Sequence, residues 1–162
     1  MRAIRFALLS SAVVLAACGG KKEDAAPAAE AAPAAAAAAA PAPAGAAAVT
    51  GTTHEVQMTG DATGYKFSQA AITVKAGDAI KFTFVSGGPH NVAIDPAGVP
   101  ADVKSVLDAN FGPDKMGELS SKMLLNAGES VTISFAGIKP GVYEFHCTPH
   151  LAMNMKIKVT VQ

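Results

Sequence analysis

Apolar and polar residues alternate with a period of two in several short segments from residue 55 onward. Successive side chains of a strand point to opposite faces, so this alternation predicts half-buried β-strands. The predicted strands cover residues 55–58, 72–74, 80–84, 90–94, 131–135, 143–147 and 157–161. Turn sequences rich in Gly, Pro, Asn and Asp separate many of them, at 76–78, 87–89, 126–128 and 139–141. Short strands with such turns predict an all-β domain, an antiparallel β-sandwich over residues 49–162.

One segment of this domain has helical spacing instead. Residues 100–109 begin with a proline, which suits the first turn of a helix. Val103, Val106 and Leu107 share one face at this spacing, and Gly112 is a suitable terminator. We therefore expect one short helix inserted in the sandwich near residues 100–109.

The segment that precedes the predicted domain has low sequence complexity. Residues 25–48 comprise eighteen Ala, four Pro, one Glu and one Gly. Alanine favours helix, but the prolines interrupt it, and the segment has no amphipathic pattern that a core could bury. We interpret residues 18–48 as a disordered tether between the N-terminal region and the domain.

The first residues have the pattern of a bacterial secretory signal peptide. Arg2 and Arg5 precede a short apolar stretch at 6–15, and the sequence Leu-Ala-Ala-Cys that follows resembles the lipobox of bacterial lipoproteins. The resemblance implies that residues 1–17 are removed and that Cys18 is diacylated, which anchors the protein to a membrane in the periplasm or at the cell surface. The alternative is an ordinary signal peptide with an incidental cysteine, and the choice between inner and outer membrane stays open.

The charge balance and the motif content exclude several classes of function. The chain has 13 Lys and Arg and 13 Asp and Glu, so its formal net charge is zero. A nucleic-acid-binding protein would carry a basic excess. The sequence has no Ser/His/Asp arrangement, paired-carboxylate motif or phosphate-binding glycine loop, so no residues support an enzyme.

Residue types that bind metals are concentrated near the C-terminus. Cys147 and His150 are separated by two residues, and Met153 and Met155 follow. With the N-terminal cysteine lipidated, Cys147 is the only thiol of the mature chain, and thiolate, imidazole and thioether together favour copper. His90, which follows Gly-Gly-Pro, is the best candidate for a second imidazole. Two imidazoles, one thiolate and a weak thioether form a trigonal blue-copper site.

Three motifs resemble the plastocyanin-like cupredoxins, and the run from Cys147 to Met155 also looks like pseudoazurin. The motifs are Pro-His-Asn-Val at 89–92, Leu-Leu-Asn-Ala-Gly-Glu at 124–129 and Gly-Val-Tyr-Glu-Phe-His-Cys-Thr-Pro-His at 141–150. The resemblance implies a Greek-key sandwich with one type 1 copper, whose ligands fall on His90, Cys147, His150 and Met155. It also implies that the backbone N–H of Asn91 bonds the cysteine sulfur.

The chain departs from the family pattern in three ways. His146 stands where plastocyanins have a tyrosine, and Asn154 replaces a common glycine. The interval between the first histidine and the cysteine is longer than in simple plastocyanins, with the excess near 100–109. Met153 fits the shorter spacing of amicyanin-like proteins, so it is the alternative to Met155 as axial ligand.

The resemblance implies a protein that shuttles single electrons by Cu(I)/Cu(II) cycling. Its expected partners are redox proteins such as cytochromes or membrane respiratory or photosynthetic complexes, with no nucleic acid, and the protein is expected to be a monomer. The ring edge of His150 is expected to reach the surface within an apolar patch of Gly88, Pro89, Leu151 and Ala152. The alternatives are a periplasmic protein for copper delivery or tolerance, and a tethered sandwich without metal. The electron donor, the acceptor and the reduction potential stay open.

Overall fold

The computed structural model describes residues 45–162. The predicted signal peptide, Cys18 and most of the predicted tether lie outside the described residues, so the predictions made for them stay predictions. None of the helices within residues 45–162 has the length and hydropathy that a membrane-spanning segment needs.

Eight strands, one α-helix and two 3-10 helices form within these residues. The strands are β1 (Thr53–Asp61), β2 (Gly64–Phe67), β3 (Ala71–Val74), β4 (Ala79–Phe84), β5 (Ala93–Ile94), β6 (Ser130–Ser134), β7 (Gly141–His146) and β8 (Lys156–Val161). The α-helix α1 is Ala101–Asn110, and the 3-10 helices are Pro96–Gly98 and Thr148–Met153.

The hydrophobic pattern located most strands, but it missed one and overextended another. It gave no signal for β2, whose two apolar side chains alternate over only four residues. The predicted strand at 90–94 is reduced to the two residues of β5. The residues before β5 leave the sheet because His90 pairs its backbone with Leu124 in an isolated bridge.

The strands form two four-stranded sheets, in the orders β2-β1-β4-β6 and β3-β8-β7-β5. The pairs β1–β4 and β3–β8 are parallel, and the other pairs are antiparallel. The expectation of a wholly antiparallel sandwich is therefore corrected to a sandwich of two mixed sheets. Period-two alternation marks the buried face of a strand but carries no information on its direction. Between β1 and β4 the chain crosses to the other sheet at β3, so β4 returns parallel to β1.

The core lies between the two sheets and is built from the alternating positions. Ile80, Phe82 and Phe84 of β4 and Phe145 of β7 are all buried. Full burial of such a side chain contributes about 1.5–3 kcal/mol to stability. The alternation of β7 continues to Cys147, which is also buried. The predicted thiolate ligand is therefore placed by the same pattern that builds the core.

The predicted helix is present and contacts β6. Val103 and Leu107 are buried, whereas Val106, at the edge of the same face, is 36% exposed. The buried side chain of Asn110 donates a hydrogen bond of 2.9 Å to a β6 carbonyl, which fixes the end of α1. Gly112 follows the helix with φ 84°, as expected of a terminating glycine.

The chain enters the sandwich far from the predicted copper ligands. The Asp78 carboxylate accepts the Thr52 N–H at 2.8 Å and contacts His54 Nε2 at 3.1 Å. Burial raises the pKa of Asp78, but hydrogen bonds from backbone N–H groups and from His54 hold it below its ordinary value. From this point β1 runs roughly 25 Å to Gly60, which packs on Gly87 in the loop before the predicted histidine ligand.

Candidate metal centre

Two histidines and one cysteine that are separated in sequence meet at this distant end of the sandwich. His90 Nδ1 lies 3.5 Å from Cys147 Sγ, and His150 Nδ1 lies 3.3 Å from the same sulfur. The centroids of the two imidazole rings are 4.9 Å apart. His90 and Cys147 are 0% exposed, and His150 is 6% exposed. Three of the four predicted metal ligands therefore form one buried cluster.

The ring of His90 is held by a backbone carbonyl and an aromatic side chain from the residues that precede it. His90 Nε2 lies 2.9 Å from the carbonyl oxygen of Ser86. A carbonyl only accepts hydrogen bonds, so Nε2 carries the proton and the lone pair of Nδ1 faces Cys147. The rings of Phe84 and His90 meet nearly at a right angle, with centroids 5.0 Å apart. The chain thus holds His90 in the tautomer and orientation that a metal ligand needs.

Two glycines allow the loop before His90 to pack closely. Gly87 has φ 73° and lies against the backbone of Gly60, where a side chain would collide. Gly88 packs on the ring of Phe84 with no room for a Cβ atom. A larger residue at either position would push the loop, and His90 with it, away from the sandwich.

A buried amide joins the His90 segment to the Cys147 segment. Asn91 is 1% exposed, and its Oδ1 accepts the Thr148 N–H at 2.8 Å. Its Nδ2 donates to Thr148 Oγ1 at 3.1 Å and to Ser120 Oγ at 3.2 Å. Because Asn91 follows His90 and Thr148 follows Cys147, these bonds fix the separation of two donor groups.

The residues after Cys147 fold back on the cysteine. The helical segment Thr148–Met153 is kinked at His150, which has φ −114° and ψ 17°. The Cys147 N–H donates to the Met155 carbonyl at 3.1 Å, and the His150 N–H donates to the Cys147 carbonyl at 3.1 Å. Asn154 adopts the left-handed conformation, with φ 60° and ψ 33°. Asparagine tolerates this region better than most residues, which explains why it can replace the expected glycine.

The two candidate methionines differ in burial. Met155 is 0% exposed and belongs to the same core cluster as Cys147, whereas Met153 is 54% exposed. A thioether must lie inside the protein to approach a buried cysteine, so the burial favours Met155 as the fourth donor.

Burial changes the proton affinities of the clustered groups. It raises the pKa of the Cys147 thiol, while hydrogen bonds from the backbone N–H groups of Asn91 and His150 act in the opposite direction. Burial also lowers the pKa of His150, and the neighbouring His90 lowers it further. Neutral imidazole keeps a lone pair for a metal, and a bound cation would stabilise the thiolate form of Cys147.

The cluster has the dimensions of a site for one metal ion. Metal–nitrogen and metal–sulfur bonds of about 2.0 and 2.3 Å, as zinc forms with these ligands, place N and S about 3.7 Å apart at a trigonal angle. The two Nδ1–Sγ distances of 3.5 and 3.3 Å are close to this value. The donor set combines one soft sulfur with two imidazoles, which suits copper.

One side chain beside this cluster is not indicated by the sequence pattern. Tyr65 of β2 stacks on His150 with ring centroids 3.7 Å apart and an interplanar angle of 15°. His150 is 6% exposed, and the expectation that its ring edge reaches the surface stays a prediction. The alternation of Tyr65 and Phe67 was the available signal, but a four-residue strand is too short to be recognised by period.

The other histidines of residues 45–162 lie outside the cluster. His146 is partly buried and lines a groove of about 730 Å³ together with Glu144 and Lys156. It lies between the buried Phe145 and Cys147, so strand alternation places its side chain on the opposite face from Cys147. Within the described residues, the one group of His, Cys, Asp or Glu side chains that could hold a metal is the cluster of His90, Cys147 and His150.

Comparison with known sequences supports a copper site in this domain. A family model for the copper-binding proteins of the plastocyanin/azurin family matches residues 54–162. Plastocyanin of Dryopteris crassirhizoma is 39% identical over 105 residues, which are 64% of this chain and 95% of that protein. Plastocyanin of Nostoc punctiforme is 34% identical over 112 residues, which are 68% of this chain and 74% of that protein.

Comparison with solved structures agrees with the architecture. The oxidised form of plastocyanin from Dryopteris crassirhizoma superimposes with a TM-score of 0.53 at 36% identity, covering 67% of this chain and 99% of that chain. This match and the two-sheet architecture confirm the predicted cupredoxin-like sandwich with one short helix. The family match and the histidine–cysteine cluster confirm the prediction that the cofactor is copper.

Replacement of Asn91 by Ala is expected to destabilise the metal-free protein. The change removes three hydrogen bonds and leaves the Thr148 N–H without its partner. The free energy of unfolding, measured by urea denaturation, should fall by about 1–3 kcal/mol. The matched control is Ser120→Ala, which removes only one of the three bonds and should have the smaller effect. Equal effects of the two substitutions would show that Asn91 does not join the two segments.

Proposed function

Because the chain belongs to the plastocyanin/azurin family of copper-binding proteins, we propose that it shuttles single electrons between redox partners at one type 1 copper site. The observation that carries the proposal is the convergence of two imidazole Nδ1 atoms on the buried Cys147 sulfur, at 3.5 and 3.3 Å. The family consists of electron-transfer copper proteins, which supports a carrier rather than an enzyme.

The proposed ligands are His90, Cys147, His150 and Met155. The first three are supported by their mutual distances and their burial. Met155 is supported by its burial and by the hydrogen bond that its carbonyl accepts from the Cys147 N–H. Met153 is disfavoured by its exposure to solvent.

Copper, when bound, supplies a one-electron couple between Cu(I) and Cu(II). The chain's own residues supply a fixed environment for it. Ser86 holds the tautomer of His90, and Asn91 holds Thr148 beside the cysteine. The backbone N–H of Asn91 lowers the pKa of the Cys147 thiol, against the effect of burial. Side chains that are already hydrogen-bonded and packed change little between oxidation states, so the reorganisation that accompanies electron transfer stays small.

The surface around His150 suits a brief encounter with a partner. Pro89, Leu151, Ala152 and Met153 are exposed beside the cluster, so an apolar rim surrounds it. A small apolar contact area is typical of weak, short-lived redox complexes. We propose that partners such as cytochromes or membrane respiratory or photosynthetic complexes bind here, and that the shuttle acts as a monomer.

We also propose that the domain, residues 49–162, is anchored to a membrane through lipidated Cys18 and the tether 18–48, in the periplasm or at the cell surface. The signal-like residues 1–17 and the Leu-Ala-Ala-Cys sequence support this part of the proposal. The chain also enters the sandwich at the start of β1, roughly 25 Å along the strand from Gly60, which packs on the loop before His90. A tether attached at that end leaves the cluster free to face a partner.

Addition of Cu(II) to the full chain is expected to give an intense blue thiolate-to-copper charge-transfer band. A one-electron reductant should bleach the band, because it converts Cu(II) to Cu(I). The substitution Cys147→Ser should abolish it, because the thiolate is lost. Met155→Leu should alter the visible and electron paramagnetic resonance spectra, whereas the matched control Met153→Leu should leave them unchanged.

Other outcomes of this titration would contradict the proposal. A colourless protein that still binds Cu(I) would favour copper delivery, the function to which the exposed Met153 points. A protein that binds no copper would exclude both functions. Spectra altered by Met153→Leu and not by Met155→Leu would reverse the assignment of the fourth ligand.

Detergent partitioning of the full chain tests the anchor. The wild-type protein, expressed in a bacterial host that lipidates proteins, should enter the detergent phase because acyl chains on Cys18 make it amphiphilic. Cys18→Ser should move it to the aqueous phase, and the control Cys147→Ser should not. A Cys18→Ser protein that partitions like the wild type would exclude lipid anchoring at Cys18.

A further inference from the structure

The cluster of donors is covered by an aromatic ring from another part of the chain. His150 follows Cys147 by three residues, while Tyr65 belongs to β2 in the opposite sheet. The two rings are nearly parallel, with an interplanar angle of 15° and centroids 3.7 Å apart. The same tyrosine stands edge-on to His90, with centroids 6.3 Å apart and an angle of 64°. One ring therefore stacks on His150 and stands beside His90.

The sandwich makes specific room for this ring. Tyr65 pairs with Gly60 in the β1–β2 register. A side chain at Gly60 would collide with the Tyr65 ring, so the glycine lets the ring lie across β1. Tyr65 itself is half-buried, and the imidazole beneath it is 6% exposed. The stack is thus supported from below by His150 and from the side by a strand that leaves space for it.

We propose that Tyr65 is a positioning residue of the metal centre: its ring fixes the plane of His150, excludes water from it, and raises the reduction potential of the site. This inference rests on the proposed function. It also changes the surface that a partner meets, because the half-buried Tyr65 ring lies outside the imidazole. A partner that docks at this end of the sandwich contacts Tyr65 and the apolar rim before His150.

The direction of the effect on the potential follows from charge and solvent. With one thiolate and two neutral imidazoles, the oxidised site carries one net positive charge and the reduced site carries none. Exclusion of water destabilises the more highly charged state, so it favours the reduced site and raises the potential. During electron transfer the partner gains the electron that the site loses, and Tyr65 keeps its proton and its electrons.

The stack is tested first in the metal-free full chain by proton nuclear magnetic resonance. A ring proton that lies over the face of a tyrosine is shifted upfield, so the His150 Cε1–H resonance should move downfield in Tyr65→Ala. Tyr65→Phe retains the ring and should keep the wild-type shift. A His150 resonance that is the same in Tyr65→Ala and in the wild type would overturn the stack.

The exclusion of water from His150 by Tyr65 is then tested by measuring the reduction potential of the copper-loaded full chain by voltammetry. Tyr65→Ala should shift the reduction potential downward because water reaches His150, and Tyr65→Phe should restore it. The control Val142→Ala removes a side chain that is 59% exposed on β7, and it should leave the potential unchanged. An unchanged or higher potential in Tyr65→Ala would overturn the role in water exclusion. Failure of the proposed function is distinguishable from failure of this inference. If the protein is not a copper electron carrier, the wild type shows no reversible copper couple, whereas the resonance test in the metal-free chain still reports on the stack.

Discussion

One thiol and two imidazoles are buried together at a single point, and the loops around them hold them there. The Nδ1 atoms of His90 and His150 lie 3.5 and 3.3 Å from Cys147 Sγ. The three residues are at most 6% exposed. Burial of polar groups is unfavourable unless they are bonded. A soft cation offsets this cost by ligation, and the surrounding apolar core keeps competing water away. The polar groups whose burial is least favourable are therefore the same groups that would bind the metal.

Three hydrogen bonds within the protein hold the donor groups in position without the metal. The Ser86 carbonyl fixes the ring of His90, the Asn91 amide ties the two donor segments, and the backbone bond between Cys147 and Met155 closes the C-terminal loop. All three lie at the end of the sandwich opposite the entry of the chain. A lipid-anchored tether at the entry would consequently leave the metal end unobstructed, which links the architecture to the proposed exchange of electrons with partners.

Most of the fold and the donor set could be predicted from the sequence because their signals are local. Alternation marks the buried face of β4, β6, β7 and β8, and the spacing of Cys147 and His150 with a following methionine indicates copper. Strand direction is not local, so the two parallel pairs were missed. The cover of His150 by Tyr65 was missed for the same reason, since it joins residues 85 positions apart through a four-residue strand. The choice between Met153 and Met155 needed burial, which spacing alone does not give.

The proposed function requires that the sandwich hold the donors in place before copper binds. Crystal structures of the full chain in the metal-free and copper-loaded states test it most directly. Cys147 Sγ and the Nδ1 atoms of His90 and His150 should keep their positions to within about 0.5 Å, the precision that a preorganised site requires. Donors that separate in the metal-free crystal, or a Thr148–Met153 segment that refolds when copper binds, would contradict the claim.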